Sequence, residues 1–183
     1  FLGFVYKQLS TTKQQTVVIE EKQQEISDSI NYAKRIQDAM MTSSVYLKDT
    51  LPKSFIFFKP KDVVSGDFYW VYKDQEENIF FTVADCTGHG VPGAFMSMIG
   101  TSLLNEIIIE KEIKDTDKIL NEMRAQIIKS LSQEEEGAQK DGMDISLCKL
   151  NMKNKTIEFS GAHNSLVHVR DKELNTIRGD HQP

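Results

Sequence analysis

The sequence predicts an α+β layered domain preceded by a long N-terminal helix, and three observations carry that prediction. Two runs of aromatic and β-branched residues, 68–72 and 79–83, flank a polar stretch at 73–78, the signature of an antiparallel hairpin. Two segments with apolar residues at helical spacing follow the hairpin, and four short strand-like runs close the sequence. Hairpin, two helices and meander, in that order, describe helices layered on an antiparallel sheet.

The N-terminal helix spans residues 9–41, which are rich in Gln, Glu, Lys, Ser and Thr and hold neither Gly nor Pro. Ile19, Ile26, Ala33 and Met40 recur every seven residues, with Ile30, Gln23 and Gln37 at the alternate positions. Two readings stay open: an amphipathic helix packed on its own domain, or a parallel coiled coil that makes the chain a homodimer through this helix. Either makes the segment a stalk or regulatory arm. Residues 1–6 are apolar but far shorter than the roughly 20 residues that span a bilayer. They read either as the end of a membrane helix, which would tether the chain to a membrane or an upstream sensor, or as a helix start. The arm is assigned to 1–50 and the compact domain to 51–183. Pro52 and Pro60 stop helices at the junction, where 55–58 is a short strand candidate.

Within the domain, the Gly-rich turn 87–93 feeds a helix predicted over 94–110, with Pro92 suited to a first turn. Ala94, Phe95, Met96, Met98 and Ile99 make its start nearly apolar, so it is expected to lie buried against a sheet. A second helix is predicted over 117–132, capped by Asp115 or Thr116, with Ile119, Leu120, Met123, Ile127, Ile128 and Leu131 on one face. Residues 134–142 read as a charged, solvated, mobile loop. Strands at 143–150, 156–160, 166–170 and 174–177, joined by turns at 151–155 and 171–173, are expected to form one meander.

A net charge of −5 over 183 residues argues against a nucleic-acid binder, which needs clustered Lys and Arg. Cys86 and Cys148 lack metal-type spacing and read as reduced thiols, and no secretory signal is visible, so a cytoplasmic location, or the cytoplasmic side of a membrane, is expected.

The chemistry begins with the hairpin. If it folds symmetrically about 75–76, facing positions sum to about 152 and Asp67 lies opposite Asp85, with Cβ atoms roughly 4.5–5.5 Å apart. Like charges so placed destabilise a strand pair, and a hard divalent cation between them is the evident remedy. A slip of one residue would send one acid to the other face. Beyond Asp85, the glycines of 86–93 allow close backbone approach, and the helix that follows offers its N-terminus to an anion. Carboxylates for a metal and donors for a phosphate converge at one end of the hairpin, which outlines a phosphate-ester site.

The stretches Lys-Pro-Lys-Asp-Val-Val-Ser-Gly-Asp-Phe-Tyr-Trp (59–70) and Ala-Asp-Cys-Thr-Gly-His-Gly-Val-Pro-Gly-Ala (84–94) closely resemble the SpoIIE-like phosphatases, bacterial relatives of the protein phosphatase 2C (PPM) class. Phe-Ser-Gly-Ala-His-Asn (159–164) resembles a third family block, and 29–37 resembles the helical linker that precedes such domains in signalling proteins. The resemblance implies an α/β-β/α sandwich with a two-metal Mn²⁺ or Mg²⁺ site that hydrolyses phosphoserine or phosphothreonine in a partner protein. It further implies Asp67 and Asp85 as metal ligands and catalytic acids, and the backbone carbonyl of Cys86 as a third oxygen. Gly88, His89 and Gly90 stand where loop or phosphate contacts would be made. The family pattern continues through a Ser-Asp-Gly block and an Asp-Asp block that do not occur within residues 1–183. The expectation is therefore a partial sandwich whose site is begun but not finished here, with weak metal binding and little catalysis by these residues alone.

Other candidates carry competing plain readings. His89 either contacts a phosphate or water or merely fixes its loop, and His163 reads as a turn residue. Asp141 and Asp144 read as a solvated loop end rather than metal neighbours, Lys59 and Lys61 as surface charge, and Trp70 and Tyr72 as core or sheet-face residues. Two rivals to the phosphatase remain: a non-catalytic dimerising or binding module, and a nucleotide binder, against which the absence of a phosphate-loop lysine counts.

Overall fold

The computed structural model describes residues 1–131 and 141–181, with the side chains of Leu2 and Val5 excepted. Helix α1 (Leu2–Met40) and the short α2 (Ser44–Thr50) lead to strands β1 (Phe68–Lys73) and β2 (Asn78–Cys86). Helix α3 (Gly90–Leu104) runs on as a π-helical stretch, Asn105–Glu110, and is followed by α4 (Thr116–Ser130). Strands β3 (Met143–Asn151), β4 (Thr156–Ala162), β5 (Leu166–Arg170) and β6 (Glu173–Ile177) complete the order.

Strands β1-β2-β3-β4 form one antiparallel sheet in sequence order. Side chains alternate across it, so Phe68, Trp70, Phe80, Ala84, Cys86, Met143, Ile145 and Leu147 face one way. They meet Met96, Leu103 and Leu104 of α3, Ile107 and Ile108 of the π-helical stretch, and Ile119, Met123 and Ile127 of α4. The helix layer therefore covers one face of the sheet, and the other carries Val83, Asp85 and Asp144. Gly100 makes the close approach possible, because a Cβ there would sit 2.8 Å from the Phe68 ring. The Trp70 indole N–H donates to Asn105 Oδ1 at 3.0 Å, anchoring β1 to the start of the π-helical stretch.

The hairpin is closed by Asp74, whose Oδ1 accepts from the N–H groups of Glu76 (2.9 Å) and Asn78 (2.8 Å). Burial pushes the Asp74 carboxyl upward, but the Asn78 hydrogen bonds and the Lys114 charge outweigh it and hold it below the usual carboxylate range. The outer edge of β1 is capped from the arm's end: Val71 N–H donates to Thr42 Oγ1 at 2.8 Å and Lys73 N–H to the Tyr46 hydroxyl at 3.0 Å.

Several sequence expectations are corrected. The helix after the Gly-rich turn starts at Gly90 rather than 94, so Pro92 falls in its first turn, where a missing N–H breaks no bond. Residues 55–58 form no strand; Phe55 and Phe57 are exposed, and Phe58 packs edge-on against Tyr69 instead. The expected single meander divides, because β5 and β6 form a separate two-stranded sheet. The chain leaves the main sheet at His163, whose φ is 59° and whose N–H donates to Asp180 O at 2.7 Å. Asp115 occupies the α4 N-cap without capping it. Glu158 of β4 does so instead, accepting from Thr116 N–H at 2.7 Å. The charged loop expected at 134–142 lies outside the described residues up to 140.

Helix α1 divides into two regimes. Ile19 and Ile26 are exposed, whereas Ile30, Ala33, Gln37 and Met40, further along the same stripe, are partly or fully buried where α1 meets α3. The lower part of the stripe thus packs on its own domain.

Leu147→Ala empties a fully buried core position and is expected to cost about 2–5 kcal/mol. Val83→Ala, on the open face at 54% exposure, is expected to cost less than about 1 kcal/mol. Urea denaturation checks both, and the reverse order would mean that the core lies on the other face.

Candidate functional site

The β1–β2 ladder pairs Phe68 with Ala84 and Lys73 with Ile79. Continued by one residue, this register places Asp67 opposite Asp85, as hairpin symmetry predicts. The next strand lengthens the row, since Asp85 pairs with Asp144 of β3. Facing residues in a ladder share a face, so all three acids lie on the side away from the helices. Asp144 is a correction to the sequence reading: it is the second residue of β3, half-buried, not a solvated loop end. Its carbonyl accepts from Asn164 Nδ2 at 2.9 Å. The alternation Met143, Ile145, Leu147 facing the core was the signal that turns Asp144 toward Asp85.

The Asp67 carboxyl, on an exposed residue, is pushed above its ordinary range, first by partial desolvation, then by the charge of Asp85 and by a hydrogen bond between the two side chains. A carboxylate pair that resists carrying two negative charges is a fitting place for a cation. Cys86 contributes no thiolate there. Burial, then the charges of Asp85 and Asp67, push its thiol up to about 12, and its side chain belongs to the core. Only its main-chain oxygen is available. That oxygen lies near the Asp67 loop, 3.3 Å from where a Gly66 Cβ would be. Two carboxylates and a carbonyl are hard donors suited to Mg²⁺ or Mn²⁺. Among the described residues, no group of three or more His, Cys, Asp or Glu side chains is arranged to hold a metal ion.

The wall beside the acids is built from glycine backbones in contact. A Cβ on Gly93 would stand 2.6 Å from Gly88 O and 3.0 Å from Gly66 Cα, and one on Gly66 would stand 2.9 Å from Gly88 O. The loop that carries Asp67 and the loop that follows Asp85 therefore touch main chain to main chain. Gly88 (φ 86°) and Gly90 (φ 63°) hold backbone conformations that a side chain would disfavour. The loop is tied to β3 by Thr87 N–H to Gly142 O at 2.9 Å and Gly142 N–H to Thr87 Oγ1 at 3.1 Å. His89 takes the α3 N-cap position without a side-chain capping bond; its Nδ1 lies 3.0 Å from Asp62 Oδ2. Lys59 and Lys61 are exposed.

Gln37 of α1 is the residue that the sequence reading missed. It sits in the heptad stripe, yet only 3% of it is exposed. Its Nε2 donates to Ser65 O at 2.6 Å and to Ser97 Oγ at 2.7 Å, while its Oε1 accepts from Ser65 N–H at 3.0 Å. One side chain thus takes both backbone groups of the residue two before Asp67 and joins them to α3. A buried glutamine has the same one-letter pattern as a seam glutamine, so only the fold separates the two.

Because the folded Asp67 carboxyl is raised, its contribution favours the fold below the ordinary carboxylate pKa and is lost as pH rises through the folded value. Asp85→Asn removes one charge of the pair and is expected to make the metal-free protein slightly more stable at pH 7, with the difference closing toward pH 3. Urea unfolding at both values checks this, and equal gaps at the two would refute the coupling.

The model of the Stage II sporulation protein E (SpoIIE) family matches residues 75–183, which contain Asp85 and the Gly-rich loop; Asp67 lies ahead of the match. Among solved structures, fourteen chains match. One of them, the SiaA-PP2C domain of Pseudomonas aeruginosa, is 34% identical with a TM-score of 0.76, over 86% of this chain. The present chain spans 61% of that chain's length. Among curated proteins nothing matches. With the family model covering more than half of its residues and a PP2C-domain fold shared at this level of identity, the chain belongs to the SpoIIE family of phosphatase domains.

Proposed function

We propose that this domain acts as a Mn²⁺- or Mg²⁺-dependent protein serine/threonine phosphatase on a phosphoprotein partner, with the N-terminal helix setting its activity. The observation that carries the proposal is the opposition of Asp67 and Asp85 at the mouth of a Gly-rich loop that opens into α3. Asp67, Asp85 and the Cys86 carbonyl would hold the ions, with further ligands supplied from outside this set. Paired ions of this kind supply a water of lowered pKa and charge stabilisation for an in-line displacement at phosphorus. The chain's own part is to fix the two carboxylates, which the hairpin register does, and to present the phosphate to the turn at Gly88–Gly90 and the α3 N-terminus. SiaA, the relative with the solved PP2C domain, supports the reaction class, and the protein partner is argued from the family resemblance alone.

Control by the arm is supported by Gln37. Its three hydrogen bonds join α1 to the backbone beside Asp67, so any rotation of α1 that withdraws Gln37 strands Ser65 N–H and leaves Ser65 C=O with the Ser97 hydroxyl alone. A buried N–H so stranded costs about 1–3 kcal/mol, enough to shift the loop's position. The exposed Ile19 and Ile26 stripe supports pairing of two copies through the upper arm.

Two measurements test the proposal. Phosphate release from a phosphoserine peptide, measured with the product of the whole reading frame, is expected to require Mn²⁺ and to be lost in Asp85→Asn, which removes one of the carboxylates that would hold the ions. It is also expected to fall in Gln37→Leu but not in Gln23→Leu. Retained activity in Asp85→Asn rejects the metal assignment; binding of the phosphopeptide without release would make the domain a binding module instead. Sedimentation is expected to show a dimer that Ile26→Asp converts to monomer, and a monomeric parent would remove pairing through the arm.

A further inference from the structure

Asp62 and His89 come from the two loops that meet at the acid pair, Asp62 from the segment before β1 and His89 from the turn after β2. Their side chains are joined at 3.0 Å through Nδ1 and Oδ2. The pair is exposed, 74% at His89 and 40% at Asp62, and exposed ion pairs contribute about 0–1 kcal/mol. The loop does not depend on it for its shape, which the Thr87–Gly142 bonds and the glycine contacts already fix. Nor does His89 serve the helix it precedes, since its side chain makes no capping bond. What the contact does determine is the imidazole itself. An ionised carboxylate only accepts hydrogen bonds, so the neutral ring must carry its proton on Nδ1. Nε2 is then the free nitrogen, and it has no hydrogen-bond partner among the described residues.

We propose that Asp62 is a positioning residue for His89: it selects the Nδ1–H tautomer and holds the ring so that Nε2 is the one side-chain nitrogen the Gly-rich loop offers to a phosphate ester. The role at a phosphate ester rests on the phosphatase reading above; the tautomer does not. Nε2 accepts a hydrogen bond when the ring is neutral and donates one to a phosphoryl oxygen when it is protonated. An amide in place of Asp62 can donate to Nδ1, which moves the ring proton to Nε2 and exchanges the two roles.

Long-range ¹H–¹⁵N correlation of the imidazoles, recorded on the ¹⁵N-labelled chain under mildly alkaline conditions, reads the tautomer directly, with His89→Gln identifying the signal. The parent is expected to show Nδ1–H, Asp62→Asn a shift to Nε2–H, and Asp62→Glu a return to Nδ1–H. An Nε2–H parent, or an unchanged tautomer in Asp62→Asn, overturns the proposal. In the whole-frame protein, Asp62→Asn is expected to lower kcat for phosphoserine-peptide hydrolysis by about 10-fold or more, with the Mn²⁺ dependence unchanged and with partial rescue by Asp62→Glu. An unchanged kcat beside an altered tautomer overturns the positioning role. Absence of hydrolysis in every form, parent included, counts against the phosphatase reading, while the tautomer measurement still decides the Asp62–His89 assignment.

Discussion

The register of the β1–β2 ladder is the constraint on which the remaining structure rests. Paired as Phe68 to Ala84 and Lys73 to Ile79, the two strands send Phe68, Trp70, Phe80, Ala84 and Cys86 toward the helices and Asp67 and Asp85 away from them. A one-residue slip of either strand would reverse that sorting for its whole length, exposing aromatic core residues and separating the acids. The burial of Phe80 and Trp70 against α3, the π-helical stretch and α4 therefore also fixes the carboxylate pair. Core stability and site geometry share one set of hydrogen bonds, and Asp74 at the closed end holds the loop length that sets them.

Around that pair, the chain brings together segments distant in sequence by removing side chains rather than adding them. Gly66, Gly88 and Gly93 let the loop before β1 lie on the loop after β2 at main-chain contact distance. Gln37 then reaches the same place from α1 and satisfies both backbone groups of Ser65. Three elements thus meet within a few residues of Asp67: the arm, the Gly-rich loop and the first turn of α3. Ser97, which also donates to Ser65 O at 3.1 Å, completes the junction from the α3 side.

Much of this was legible in the sequence because the hairpin is local. Residues 68–86 contain both strands, their turn and the alternation, so the facing of Asp67 and Asp85 follows from counting. The pairing of Asp144 with Asp85 was not legible for the opposite reason: the alternation at 143–147 gives its face, but β3 joins β2 across more than fifty intervening residues, and no count fixes a register over that separation. Gln37 was hidden by a pattern that was itself correct, because a heptad stripe identifies the apolar face of a helix without saying which partner covers it. The start of α3 at Gly90 was obscured by three glycines in the turn, which argue for a loop until a fixed backbone geometry recruits Gly90 and Gly93 into the helix. The 55–58 run had strand-like residues, but the outer edge of β1, against which Phe58 lies, is taken by Thr42 and Tyr46.

The division of α1 at Ile30 also has a thermodynamic consequence. Above that point every described side chain is exposed, and the residues include few strong helix formers apart from Gln, Glu and Lys. A solitary helix of such composition is marginal in water, because most helical stability in proteins comes from a buried face. Below Ile30 the same helix is held by Gln37 and by its neighbours on α3. Its amide protons therefore divide into two populations: slowly exchanging ones near the domain, and ones upstream whose protection measures how much of the arm is covered by something else. The exchange profile of the arm becomes a gauge of occupancy, graded along the helix from the domain outward.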